Sequence, residues 1–223
     1  MHLLALTAGA ALASIAPTTA PPAEPPNGVV PAGTYTLADS IAGAPFTVTL
    51  TVPEGWTYDS AFSALSGFGA TAYIIPISLE STNQIPVDNC SWKESDVITV
   101  ATAAELAAAM GEQRGSLVSA PQPLQIGSYT GVVFTAAPIP GTDCDRATGG
   151  GGRANGEQMV FMDDNRDGWW YHGDGIHDVK TFLALDFESG LGVIEVGTYA
   201  PLLPEDQRQL LAMIDSIDVV ENP

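Results

Sequence analysis

The stretch that decides the fold is residues 127–144, GSYTGVVFTAAPIPGTDC. It opens on a tyrosine flanked by glycines, continues as a β-branched and aromatic run through Val132, Val133, Phe134 and Thr135, and ends on Cys144, one of two cysteines. Such a run bounded by Gly and Pro reads as a core strand leading into a long loop. Two cysteines in a chain bound for an oxidising space read as one disulfide. A Cys90–Cys144 bridge would close a loop of about 54 residues, worth about 4 kcal/mol in the chain-entropy account. It would pin the loop back onto the sheet. A redox or nucleophilic thiol is the weaker alternative, because there is no C-x-x-C pair and neither cysteine has a neighbouring histidine.

Outward from that strand, the remaining elements follow from period and punctuation. Pro45 to Val52 alternates Phe46, Val48, Leu50 and Val52 against three threonines, as a half-buried strand should. Pro53-Glu54-Gly55-Trp56 makes a turn. Ala70 to Leu79 is a second strand, with Pro76 favouring an edge or a bulge. Thr102 and Glu105 form a capping box ahead of Leu106 and Met110, with Gly111 as the stop. Strands are expected at 122–126, 129–137, 157–162, 181–187 and 192–199, the last two joined by Glu188-Ser189-Gly190 as a hairpin. Pro204-Glu205-Asp206 opens a second helix whose buried face is expected at Leu210, Leu211, Ile214 and Ile217. A short strand closes the chain at 216–220. Mostly antiparallel sheet with two helices gives an α+β domain.

Composition bounds the function. The chain is 45% hydrophobic and 15% charged, with 26 acidic residues against 7 basic for a net of −19. The hydrophobic share suffices for a core. The charge repels phosphate backbones and anionic headgroups, so nucleic acid and peripheral membrane binding are poor readings. Solubility alone accounts for it, and cation binding is the functional alternative. The apolar run from Leu3 to about Ala16, followed by small residues, has the length of a signal-peptide core and is too short to span a bilayer. No Lys or Arg precedes it, and Pro21 follows the best cleavage site. The expected organisation is therefore a signal peptide at 1–20, a proline-rich linker at 21–33 and one α+β domain at 34–223. The localisation that follows is secreted or cell-envelope, with no stable membrane insertion.

Several of these blocks also recur together in a known family. They are P-x-G-W at 53–56, D-N-C-S-W at 88–92, the capped T-A-A-E-L helix and A-P-x-P-L-x-I-G-S-Y-T-G at 120–131. Cys144, a late hairpin and P-E-D-Q-R-Q-L-L-A-M-I-D-S-I at 204–217 complete the series. In this order the chain resembles the uncharacterised secreted proteins and lipoproteins of high-GC Gram-positive bacteria. Their domains are similar to the PsbP/Mog-like α-β-α sandwich. The resemblance spans most of 45–220 and implies a fold and an exported location, but no activity. The lipobox cysteine of the anchored members is missing here, and 145–178 is unusually rich in glycine and acids.

Candidate chemistry concentrates in that segment. Asp163, Asn165 and Asp167, followed by Gly168, place oxygens at positions 1, 3 and 5 of a tight turn, as Ca²⁺ requires, with Trp169 offering a carbonyl at position 7. Position 12 is Asp174 in place of the bidentate Glu, and the flanks read as strands. The same spacing arises in Asx hairpin turns without metal. His172, Asp174, His177 and Asp178 would suit Zn²⁺ only if the segment curled back on itself; a solvated polar loop is the simpler reading. Trp169-Trp170-Tyr171 reads as core strand or as a stacking platform. Four glycines at 149–152 lack the Lys and Ser/Thr of a phosphate loop. No G-x-S-x-G, H-E-x-x-H or S-x-x-K is present.

The sequence thus points to a non-catalytic exported binding or accessory domain for an unknown protein or small-molecule ligand. The alternatives are a calcium-stabilised form of that domain, or a hydrolase whose site assembles only in three dimensions. Thermal melting with and without EDTA separates the first two. The metal-free reading expects an unchanged midpoint, and a midpoint lowered by chelation would replace it with the calcium form.

Overall fold

The structure is a computed structural model that describes residues 22–37, 46–60, 64–69, 72–78, 84–87, 97–113, 115–139, 158–162, 168–171 and 179–221. For 77–78, 158–162 and 168–171 it describes the backbone path alone. The central sheet runs, in spatial order, β1 (Gly28–Val30), β4 (Trp56–Asp59), β5 (Ala64–Gly67), β6 (Ala72–Ser78), β15 (Leu191–Thr198), β14 (Val179–Asp186), β11 (Tyr129–Pro138) and β10 (Gln122–Ile126). A ninth strand, β9 (Ser116–Val118), pairs with the far end of β11. A four-stranded sheet is formed by β13 (Gly168–Tyr171), β12 (Gln158–Met162), β7 (Gln84–Pro86) and β8 (Val97–Thr99). A three-stranded one comprises β16 (Asp218–Glu221), β3 (Phe46–Val52) and β2 (Gly33–Leu37). Every strand pairing is antiparallel.

The centre of this arrangement is the β14–β15 hairpin, in register from Asp186↔Leu191 to Val179↔Thr198. Successive side chains point to opposite faces of a strand, so each strand feeds two cores. On one face, Leu183, Leu185, Ile194 and Val196 pack with Val48, Leu50 and Val52 of β3 and with Leu210 and Met213 of α2 (Pro204–Asp215). On the other, Phe182, Ala184 and Val193 pack with Leu106, Ala107 and Met110 of α1 (Ala103–Glu112), together with Ile85 of β7 and Phe134 of β11. The two helices therefore lie on opposite faces of the main sheet, each beside one of the small sheets. The architecture is sheet-dominated α+β, as expected.

Local expectations hold where one residue type leaves little choice. β3 buries Phe46, Val48, Leu50 and Val52 in strict alternation. The Thr102 hydroxyl accepts from Glu105 N–H at 3.2 Å, and the Glu105 carboxylate accepts from Ala101 N–H at 2.7 Å, which caps α1 reciprocally. The Asp186 carboxylate adds a bond from Ala103 N–H at 2.7 Å, fastening the helix start to the end of β14.

Four details depart from the sequence reading. Pro76 lies on an interior strand, yet β5 pairs β6 only as far as Leu65↔Ile74, so among the described residues the missing N–H falls beyond the paired stretch on that side. Gly111 does not stop α1, which continues through Glu112 to a cap at Gln113. The Gln113 side chain is buried and donates to Pro86 O at 3.1 Å, and that tertiary bond sets the end of the helix. α2 buries Leu210 and Met213, and Ile217 is buried just beyond its end, while Leu211 is 51% exposed and Ile214 half-buried. Finally, residues 22–33, expected as a tether, lie against the body. The Ala23 carbonyl accepts from Thr36 N–H at 3.0 Å. Tyr58 donates its hydroxyl to Glu24 at 2.5 Å. β1 then joins the sheet against β4.

The hairpin turn is tied to β16. Ser189 donates both its backbone N–H (2.9 Å) and its hydroxyl (2.7 Å) to one carboxylate oxygen of Glu221. These bonds, the hydroxyl's first, hold the Glu221 carboxyl below the usual glutamate range. A depressed folded-state pKa means that the tie is present above the unfolded value and is lost as pH falls through the folded one. Following the Ser189 amide by NMR should show a titration centred below that of a free glutamate. Glu221→Gln should abolish it, and a midpoint at or above the ordinary value would refute the tie.

Candidate functional site

The two cores leave different features at the same end of β14 and β15. On the α2 side, Thr181, Val196 and Thr198 form the floor of a groove of about 450 Å³. Gln207, Leu210, Leu211 and Ile214 form its helical wall, and Ala200, Pro201 and Leu202 close one end. The wall exists because α2 docks through Leu210 and Met213, which leaves the neighbouring column of Gln207, Leu211 and Ile214 facing the sheet across open space. Among the described residues, the lining is apolar apart from two threonine hydroxyls and one glutamine amide, with no titratable side chain in it. Exposed Leu203, Leu211 and Val179 extend the apolar character to the rim. A smaller cleft of about 330 Å³ lies between α1 and β8. Its polar residues are Thr99, Glu105 and Glu112, of which Glu105 is engaged in capping the helix.

On the opposite side of the same strands is a buried polar cluster. Lys180 of β14 reaches Glu195 of β15 at 2.6 Å and donates to the Tyr73 hydroxyl of β6 at 2.5 Å, and Tyr73 in turn donates to the same Glu195 oxygen. Glu195 is fully buried and Lys180 and Tyr73 nearly so. The Lys180 ammonium lies 5.2 Å from the Tyr73 ring centre, and the Tyr199 ring packs 5.1 Å from the same ring. Gly197 makes the arrangement possible, since a Cβ there would fall 2.0 Å from a Tyr73 ring carbon. Among the described residues, Glu195 Oε2 has no hydrogen-bond partner. An ion pair this deep gains Coulomb energy but loses the hydration of both ions, so it contributes less net stability than its short distances imply. Its chemical content is registration: opposite charges on adjacent strands penalise any slip that parts them.

Lys180, Glu195 and Tyr73 escaped the sequence reading, although a signal was present. In 179–186, VKTFLALD, and 191–198, LGVIEVGT, one lysine and one glutamate stand at core-facing positions of otherwise apolar strands. A charge in that phase calls for an opposite partner.

The sequence candidates sit elsewhere. Asp163, Asn165, Asp167 and Asp174 of the calcium reading lie outside the described residues, as do His172, His177 and Asp178 of the zinc reading. Trp169 falls in β13, where the backbone alone is described. β12 and β13, on either side of those residues, are paired strands from Gln158↔Tyr171 to Met162↔Gly168 and not helices. Cys90 and Cys144 also lie outside the described residues, and the proposed disulfide has no structural account. Among the described residues, no three His, Cys, Asp or Glu side chains are grouped to hold a metal ion, and no helix is long and apolar enough to cross a membrane.

No protein-family model matches the chain, and none of the curated proteins compared with it matches. Among solved structures it is similar to the solution structure of cyanobacterial PsbP (CyanoP) from Synechocystis sp. PCC 6803. That likeness is at 11% identity and a TM-score of 0.38, over 85% of this chain and 94% of that one. No residue role is carried over from it.

The cluster makes a clear prediction. Lys180→Met leaves Glu195 buried and unpaired and should cost about 3–5 kcal/mol, read as a lowered urea midpoint. The double variant Lys180→Met/Glu195→Leu should recover most of that loss. A single variant within about 1 kcal/mol of the parent would show that the pair is not buried as described.

Proposed function

We propose that this chain is an exported, non-catalytic binding or accessory domain of the cell envelope or extracellular space, and that it binds through the groove between α2 and the β14–β15 end. The observation that carries the reading is the lining itself. Among the described residues it offers apolar area, two hydroxyls and an amide, with no acid, base or metal-ligating side chain. Such a surface can hold and orient an apolar group but supplies nothing to activate a nucleophile or to take up a proton. The two threonines have no base in the lining that would turn either into a nucleophile. Support for export comes from the apolar Leu3–Ala16 run and the paired cysteine count of the sequence. The same fold expectation, a PsbP/Mog-like α-β-α sandwich, accords with helices on opposite faces of the main sheet.

The test is a fluorescence titration with Nile red, an uncharged solvatochromic dye. Saturable binding is expected, and Leu211→Asp should weaken it by tenfold or more. Losing one buried leucine contact and placing a charge in its stead is worth about 1.5–3 kcal/mol. Leu211 is half exposed, so the substitution should leave the melting temperature nearly unchanged. Equal dye affinity in the parent and the variant would remove the groove from the proposal.

A further inference from the structure

The helical wall of the groove carries an excess of acid. Along α2, residues four apart stand one above the other. Asp206 therefore shares a column with Leu210 on one side of the groove wall, and Asp215 shares one with Leu211 on the other. The helix carries three acids, Glu205, Asp206 and Asp215, and one base, Arg208. Arg208 is taken up by an exposed ion pair with Glu205, so the two acids beside the lining leucines keep their charge. No basic residue stands in the last turn of α2. The nearest lysine on the floor strands, Lys180, points to the opposite face and is buried against Glu195. The groove is thus an apolar trough whose helical wall carries an acid near each end, set in a molecule whose net charge is −19.

We infer that the occupant of this groove is a peptide segment with an apolar centre and basic flanks. The inference rests on the groove being the binding site. A trough of about 450 Å³ accommodates a few aliphatic side chains. Leu211 and Val179 of the lining are themselves exposed, so the trough opens to solvent, and an extended segment covers such an open apolar surface more fully than a compact small molecule. Lysines or arginines on either side of the apolar centre would then meet Asp206 and Asp215. The long-range field of the whole acidic surface would speed their encounter. Anionic amphiphiles and lipid surfaces of negative charge meet the same field as a barrier.

The test uses the full chain and three competitors against bound Nile red. They are a peptide Lys-Lys-Leu-Ile-Leu-Leu-Lys-Lys, the same apolar centre with glutamates replacing the lysines, and vesicles of dioleoylphosphatidylglycerol. The basic peptide should displace the dye at a concentration at least tenfold lower than the acidic one. Its advantage should shrink several-fold on going from low to physiological salt. Asp206→Asn/Asp215→Asn should reduce the preference for the basic peptide at least threefold while leaving Nile red affinity as in the parent. Equal displacement by both peptides, a preference for the acidic one, or stronger displacement by the vesicles would overturn the inference while leaving the groove as the binding site. Failure of the dye itself to bind, or its indifference to Leu211→Asp, would instead overturn the groove.

Discussion

A hairpin buried on both faces is the constraint from which the rest of this structure follows. β14 and β15 lie in the middle of the sheet, and seven of the eight residues of β15 are buried. A strand in that position has no solvated face on which to place polar residues, so each layer above and below must be supplied by other parts of the chain. α2 and the three-stranded sheet cover one side, and α1 with the four-stranded sheet covers the other. Asp186 and Ser189 at the hairpin end then fasten those layers to it, through the α1 N-terminus and Glu221 respectively. The architecture can be seen as the set of covers that one doubly buried hairpin requires.

Placing Lys180 and Glu195 in that hairpin is the exception that the constraint makes informative. In water a lysine–glutamate pair is worth little, and here both ions give up hydration to sit beneath α1-side residues. What the pair adds is discrimination. In the observed register Lys180 stands opposite Gly197, two positions along from Glu195, and Tyr73 bridges both from the next strand. A shift by one residue would send each charge to the opposite core with no partner. Gly197 is part of the same device, because any side chain there would occupy the space of the Tyr73 ring.

The same end of the hairpin is where the covering layer on the other face is incomplete. α2 docks through Leu210 and Met213 and leaves Leu211 and Ile214 on the wall of an open groove. Exposed contiguous apolar area of this kind invites association. The strong negative charge of the molecule counters self-association by making copies repel. An acidic surface with a neutral apolar groove is consistent with selection of a partner by charge and retention by apolar contact.

Sequence reasoning reached the elements governed by local rules and missed those governed by packing. The β3 alternation, the Thr102 cap and the 188–190 turn were legible, because dihedral preference, capping and period act within a few residues. The end of α1, the docking stripe of α2, the placement of Pro76 beyond the end of β5 and the attachment of 22–33 were not. Each depends on a neighbour distant in the chain. The candidate groove was invisible for the same reason: Thr181, Thr198 and Leu211 are unremarkable residues until two strands and a helix bring them around one space. By itself the sequence determined the class of fold, the excess of acid and the phase in which Lys180 and Glu195 occur. Only the tertiary structure decided that those two charges meet and that α2 leaves one side of its apolar surface open. Local chemistry is written in adjacent residues, whereas cavities and buried ion pairs belong to the spaces between elements.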